Sequence, residues 1–127
     1  MNKCIAVDLD GTLAKSTSDG SIGAPVKAMT DRVKGWHGAG LTVVVFTVRA
    51  ASDSGLRAVS SWLKQHDLPD LHVTNVKDGE MVEFWDNRSI RVETDTGEIC
   101  SKCDSARKNA GSISKDYSRN KWLQTDC

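Results

Sequence analysis

The sequence predicts an α/β domain built on a small, mainly parallel sheet. Three observations carry that expectation. Short apolar runs of strand length stand at residues 3–9, 41–46 and 71–74. Apolar residues at helical spacing fill the intervals between them. The intervals are long enough for crossover connections, which parallel neighbours need and which are right-handed almost without exception.

The first run, Cys4-Ile-Ala-Val7, leads into Asp8-Leu-Asp-Gly-Thr12 and reads as a buried strand entering a polar loop. Residues 13–24 are rich in Ser, Gly, Asp and Thr and read as a loop or small flap. Pro25 suits the first turn of a helix, with Val26, Met29, Val33 and Trp36 on its inner face and Gly38-Ala-Gly40 at its end. Val43, Val44 and Val45 lie in an unbroken apolar stretch, as in a strand covered on both faces. Ser52 or Asp53 can cap a second helix whose inner face is Leu56, Val59 and Leu63. Pro69 closes the next turn, and a short third strand ends at Thr74. Residues 80–86 read as a helical turn leading into a strand, and residues 89–92 as another strand. Asp95-Thr-Gly97 reads as a hairpin turn. A last helix is expected near residues 117–124.

With 127 residues and 13.8 kDa, the chain has material for one core. Apolar residues at 39% and charged residues at 27% exclude a wholly disordered chain. No run approaches the roughly 20 apolar residues of a membrane helix, and Met1–Val7 lacks a secretion signal's long apolar stretch, so the expected location is cytoplasmic. The 17 basic and 17 acidic residues cancel, but unevenly: residues 1–100 hold 11 basic and 14 acidic, residues 101–127 hold 6 and 3. The expected organisation is therefore a core over residues 1–100 followed by a polar, mildly basic extension over 101–127. That charge permits a nucleic-acid partner without demanding one. Four cysteines are too few for a disulfide scaffold; Cys100-x-x-Cys103 reads as a reduced pair rather than a zinc site, since no second such pair exists.

The chemistry concentrates at Asp8 and Asp10. Parallel sheets bind ligands beyond the carboxyl ends of their strands, and both carboxylates stand at such an end. Converging there, they suit a hard cation such as Mg²⁺, and one of them could attack phosphorus to form an aspartyl-phosphate. Gly11 permits the tight turn between strand and loop.

Asp8-Leu-Asp-Gly-Thr-Leu13 resembles, without departure, the first signature of the haloacid-dehalogenase-like superfamily of phosphohydrolases. The resemblance implies that Asp8 is the nucleophile and Asp10 the general acid/base, with the Asp10 carbonyl helping to bind Mg²⁺; Gly11 and Thr12 would then border the substrate. Val43-Val-Val-Phe-Thr47 looks like the second signature, which makes Thr47 a donor to a phosphoryl oxygen. Arg49 completes a Thr-x-Arg similar to that of some small nucleotide and polynucleotide phosphatases of the family, and reads as a phosphate contact. Lys77, just after the third strand, fits the third signature and would neutralise charge around the phosphoryl group, with Asn75 a further substrate contact. Phe84-Trp-Asp86 resembles the fourth, so the implied metal ligands are Asp8, Asp10 and Asp86. Many relatives carry a second acid where this chain has Asn87, which removes one negative charge.

The signatures run in order through about two-thirds of the chain. They imply a three-layer Rossmann-like fold and Mg²⁺-dependent phosphomonoester hydrolysis. Residues 13–25 and 48–76 leave no room for a large cap domain, so the chain resembles a small capless member, similar to those encoded by bacteriophages. The expected substrate is a nucleotide or another small phosphorylated metabolite. The alternatives are a nucleic-acid 3′-phosphate, or a non-catalytic module that binds phosphate or a partner on the same fold. A partner subunit could close the site, and no membrane partner is expected.

Overall fold

The computed structural model describes residues 3–100, in which strands and helices alternate. β1 (Cys4–Val7) is followed by α1 (Lys27–Gly38), β2 (Thr42–Phe46), α2 (Asp53–Gln65), β3 (His72–Thr74) and β4 (Met81–Trp85). A 3₁₀ turn, Val48–Ala51, links β2 to α2. The four strands form one sheet in the order β3-β2-β1-β4, and every pairing is parallel. This α/β arrangement is compatible with a Rossmann-like fold.

Strand alternation divides the core in two. Ile5, Val7, Val43, Val45 and Val73 face one side, where they pack with Met29 and Val33 of α1 and Val59, Trp62 and Leu63 of α2. Cys4, Ala6, Val44 and Met81 face the other side, joined by Phe46. The valines of β2 are therefore covered on both faces, as their unbroken run predicts. Both described helices lie on the first face, so the three-layer expectation has two of its layers among the described residues.

Local signals explain the helix limits. α1 stops where Gly40 adopts φ +85°, a left-handed conformation that glycine takes at little cost. Pro25 stands one residue ahead of the Val26 cap, not inside the first turn, and its backbone bridges to Ala14. Ser52 caps α2 by accepting the Gly55 N–H at 3.0 Å.

The link from β3 to β4 contains no helix. Travel from β1 through β2 to β3 runs one way across the sheet, and the step to β4 reverses it. A right-handed connection must then cross the face opposite the helices. The Lys77 ammonium agrees, lying 4.7 Å from the Phe84 ring centroid, and Phe84 pairs with Ala6 of that second face. At its far end the Cys4 N–H donates to the Glu80 carbonyl at 2.7 Å. Burial, then the Asp78 and Glu80 carboxylates, push the Cys4 thiol above its ordinary value.

Two expectations change. Residues 81–85 are strand throughout, entered from a single turn in which the Met81 N–H donates to the Asp78 carbonyl at 3.3 Å. Glu83, which interrupts the apolar run, is tolerated because β4 is an outer strand: its exposed carboxylate accepts the Trp85 Nε1–H at 3.0 Å. Residues 89–92 are not a strand; only Val92 pairs, bridging Ile99 across the expected hairpin turn, where Asp95 and Gly97 have positive φ. Among the described residues, contacts group the chain into two units, the first ending at Asp86 and the second beginning at Asn87. Residues 87–100 separate because the hairpin pairs within itself, through Glu93 N–H to the Glu98 carbonyl at 2.7 Å and Cys100 N–H to the Arg91 carbonyl at 2.8 Å. The expected helix near residues 117–124, Cys103 and the extension beyond residue 100 lie outside the described residues. Among the described residues no helix is long and apolar enough to cross a membrane.

Candidate active site

The strand order reverses between β1 and β4, the place where open parallel sheets leave a ligand crevice beyond their carboxyl ends. Asp8 stands there. Its N–H donates to the Trp85 carbonyl at 2.9 Å, which continues the β1–β4 ladder by one residue and brings Asp8 level with Asp86.

The loop after Asp8 is fixed from below. Leu9 and Leu13 are fully buried, while Asp8, Asp10, Gly11 and Thr12 are half-buried. Gly11 has φ +89°, the left-handed conformation expected of it. Its N–H donates to the Ala14 carbonyl at 2.8 Å, and the Thr12 N–H to the Leu9 carbonyl at 3.2 Å. The backbone donors of both residues are thus used within the loop, and what they contribute first is its shape.

Thr47 follows β2 directly and is buried. Its N–H donates to the Thr74 carbonyl at 2.9 Å, and its hydroxyl oxygen accepts the Arg49 N–H at 3.2 Å. The hydroxyl can still donate its own proton. Asn75 is exposed at the start of the β3–β4 link. Lys77 is exposed two residues later, against Phe84, and register places that ring on the face to which Asp8 and Asp86 belong by alternation.

Arg49 stands apart from its expected role. Its Nε donates to Asp10 Oδ2 at 2.7 Å and its Nη2 to Asp10 Oδ1 at 2.9 Å, a two-point pair. Nη2 also donates to the carbonyls of Gly20 at 2.9 Å and Ser21 at 3.3 Å, both in the flap. The hydrogen bond to Asp10 raises the Arg49 guanidinium above its already high ordinary value.

Two contributors escaped the sequence reading. Gly55 lies in the first turn of α2, where an added Cβ would stand 1.9 Å from the Arg49 carbonyl oxygen. Trp62 belongs to the core, and its Nε1–H also donates to the Gly23 carbonyl at 2.9 Å and so ties the flap to α2. Neither contact is marked in the sequence: Gly35 also stands within a helix yet has nothing close to its Cβ position, and nothing marks the partner of the Trp62 indole.

Asp8 and Asp86 supply hard oxygen donors at adjacent strand ends, a set suited to Mg²⁺. Among the described residues no three His, Cys, Asp or Glu side chains gather as a ready metal cage. The expected set asks for less, because it takes the Asp10 carbonyl in place of a third side chain.

Comparison of the chain with protein-family models, with curated proteins and with solved structures finds no match.

Proposed function

We propose that the chain is a Mg²⁺-dependent phosphomonoester hydrolase of the haloacid-dehalogenase-like type. The observation that carries this reading is the position of Asp8 at the strand-order reversal, level with Asp86 and followed by the tightly turned loop that holds Asp10. Thr47 ends the neighbouring strand, within the same carboxyl edge.

In this reading an Asp8 carboxylate oxygen forms a bond to phosphorus as the bond from phosphorus to the leaving oxygen breaks. Asp10 in its acid form gives that oxygen a proton. Water then attacks the phosphorus of the aspartyl-phosphate and passes a proton to Asp10. The bond from phosphorus to Asp8 breaks, and phosphate leaves. Thr47 donates to an equatorial oxygen, and Lys77 contributes positive charge on the Asp8 face. Mg²⁺ held by Asp8, the Asp10 carbonyl and Asp86 would offset the charge of carboxylates and phosphate.

The segments that would carry a cap hold only a flap between β1 and α1, and a 3₁₀ turn with α2 between β2 and β3. Among the described residues these segments hold no cap domain, and we assign the site a nucleotide or another small phosphorylated metabolite. The test is p-nitrophenyl phosphate turnover with and without Mg²⁺, followed by a panel of nucleotides, sugar phosphates and 3′-phosphorylated oligonucleotides. Mg²⁺-dependent turnover that Asp8→Asn abolishes supports the reading. No turnover of any panel member returns the chain to the class of non-catalytic phosphate-binding modules.

A further inference from the structure

We infer that Arg49 is a positioning residue that joins the Asp10 carboxylate and the flap over residues 15–24 into one unit, and not the direct phosphate ligand that its spacing from Thr47 implies. The inference rests on the phosphohydrolase reading for its catalytic meaning, but its geometry stands on its own.

A guanidinium grips a phosphoryl group best with two adjacent nitrogens, along either its Nε–Nη2 edge or its Nη1–Nη2 edge. Here the first edge is occupied by Asp10, at 2.7 and 2.9 Å. The second is engaged at Nη2 by the Gly20 and Ser21 carbonyls. Among the described residues no acceptor meets Nη1, so a two-point grip on substrate requires breaking one of these pairs.

The Arg49 backbone is equally constrained. Its N–H is held by the Thr47 hydroxyl, and its carbonyl lies against Gly55 so closely that no side chain fits between them. The flap is tied at both ends. Trp62 holds the Gly23 carbonyl at its base, where the Lys15 N–H also donates to the Ala24 carbonyl at 2.7 Å; Arg49 holds its tip. The two tip carbonyls and the Asp10 carboxylate thus share one guanidinium, which holds all three acceptors together.

The experiment measures hydrogen exchange by mass spectrometry on peptides covering residues 15–24, in the full-length chain, for wild type, Arg49→Ala, Arg49→Lys, Asp10→Asn and Asp8→Asn. Loss of the tie opens the flap, so Arg49→Ala should raise its exchange by about tenfold. Asp10→Asn should raise it in the same direction, since an amide cannot accept at both atoms. Asp8→Asn should leave it at the wild-type rate. Arg49→Lys should resemble Arg49→Ala, because one ammonium cannot span a carboxylate and two carbonyls. Unchanged flap exchange in Arg49→Ala overturns the inference. In turnover of p-nitrophenyl phosphate, Arg49→Ala should lower kcat by at least about tenfold with KM within about threefold of wild type. A raised KM with unchanged kcat would make Arg49 a substrate ligand and also overturn the inference. Failure of the phosphohydrolase reading shows separately, as absence of turnover in the wild-type chain, while the exchange experiment still judges the tie.

Discussion

Replacing Gly55 by alanine tests the frame of the site without relying on any activity. In an exposed helix interior this change normally stabilises by about 1 kcal/mol, because alanine is the better helix former. Gly35, midway along α1, provides that case, since nothing lies within 4 Å of the position its Cβ would take. At Gly55 the same atom would stand 1.9 Å from the Arg49 carbonyl oxygen and 3.1 Å from the Ser52 Oγ. An ordinary contact is about 3.4 Å or more, so backbone must move by over an ångström. Overpacking of that kind costs about 1–3 kcal/mol, which exceeds the propensity gain. Gly35→Ala should therefore raise the chemical-denaturation midpoint and Gly55→Ala lower it, with the two variants separated by the overpacking cost of about 1–3 kcal/mol. If Gly55→Ala matches Gly35→Ala in stability, the close approach of α2 to Arg49 is wrong. Displacing the Arg49 backbone should also loosen its pair with Asp10, and a misplacement near 1 Å can cost about a hundredfold in rate.

Asp8→Asn should reduce p-nitrophenyl phosphate turnover below roughly a hundredth of wild type in a folded protein, because a carboxamide is no nucleophile; greater residual activity rules out the aspartyl-phosphate route. Asp86→Ala should shift the Mg²⁺ activation curve to higher metal more than it alters the response to substrate at saturating metal, and an unshifted curve removes Asp86 from the ligand set. Thr47→Val should lower kcat by about a hundredfold, the typical effect of deleting one donor to a developing oxyanion. It should also destabilise by about 1–3 kcal/mol, since the Arg49 N–H loses its acceptor. Thr47→Ser should restore most of both, and a silent Thr47→Val would show that the hydroxyl does neither task.

The alternation of strands and helices was legible because each element carries a local signal: the valine run of β2, the Ser52 cap and the glycines that end α1. The loop at Asp8 was legible for the same reason, its shape depending on neighbouring residues, buried Leu9 and Leu13 beneath and Gly11 at the turn. β4 was legible as a strand but its start was not, because an outer strand tolerates Glu83 and only the sheet order reveals that it is outer. The role of Arg49 was hidden for a related reason. Thr-x-Arg states what stands near β2, whereas the acceptors that engage the guanidinium come from Asp10 and the flap, far back along the chain. Side-chain chemistry supplies the donors; which acceptor they meet is a property of the fold.

The helix-free link from β3 to β4 also governs how the site comes into being. From Thr74 to Met81 the chain can reach about 23–25 Å at full extension. It must cross three strand spacings and descend about four residues along the sheet, a diagonal of about 20 Å. There is little slack, so removing two residues from this link should detach β4 while adding two should be accommodated. β1, meanwhile, leaves the ribosome before its partner β4, which follows more than half the described chain later. β1 can pair with β2 early, but its other edge stays open until residues 81–86 emerge. Asp8 therefore acquires its neighbour Asp86 only when β4 joins the sheet, so that a nascent chain halted before that point has Asp8 and Asp10 but not the carboxylate that stands level with Asp8.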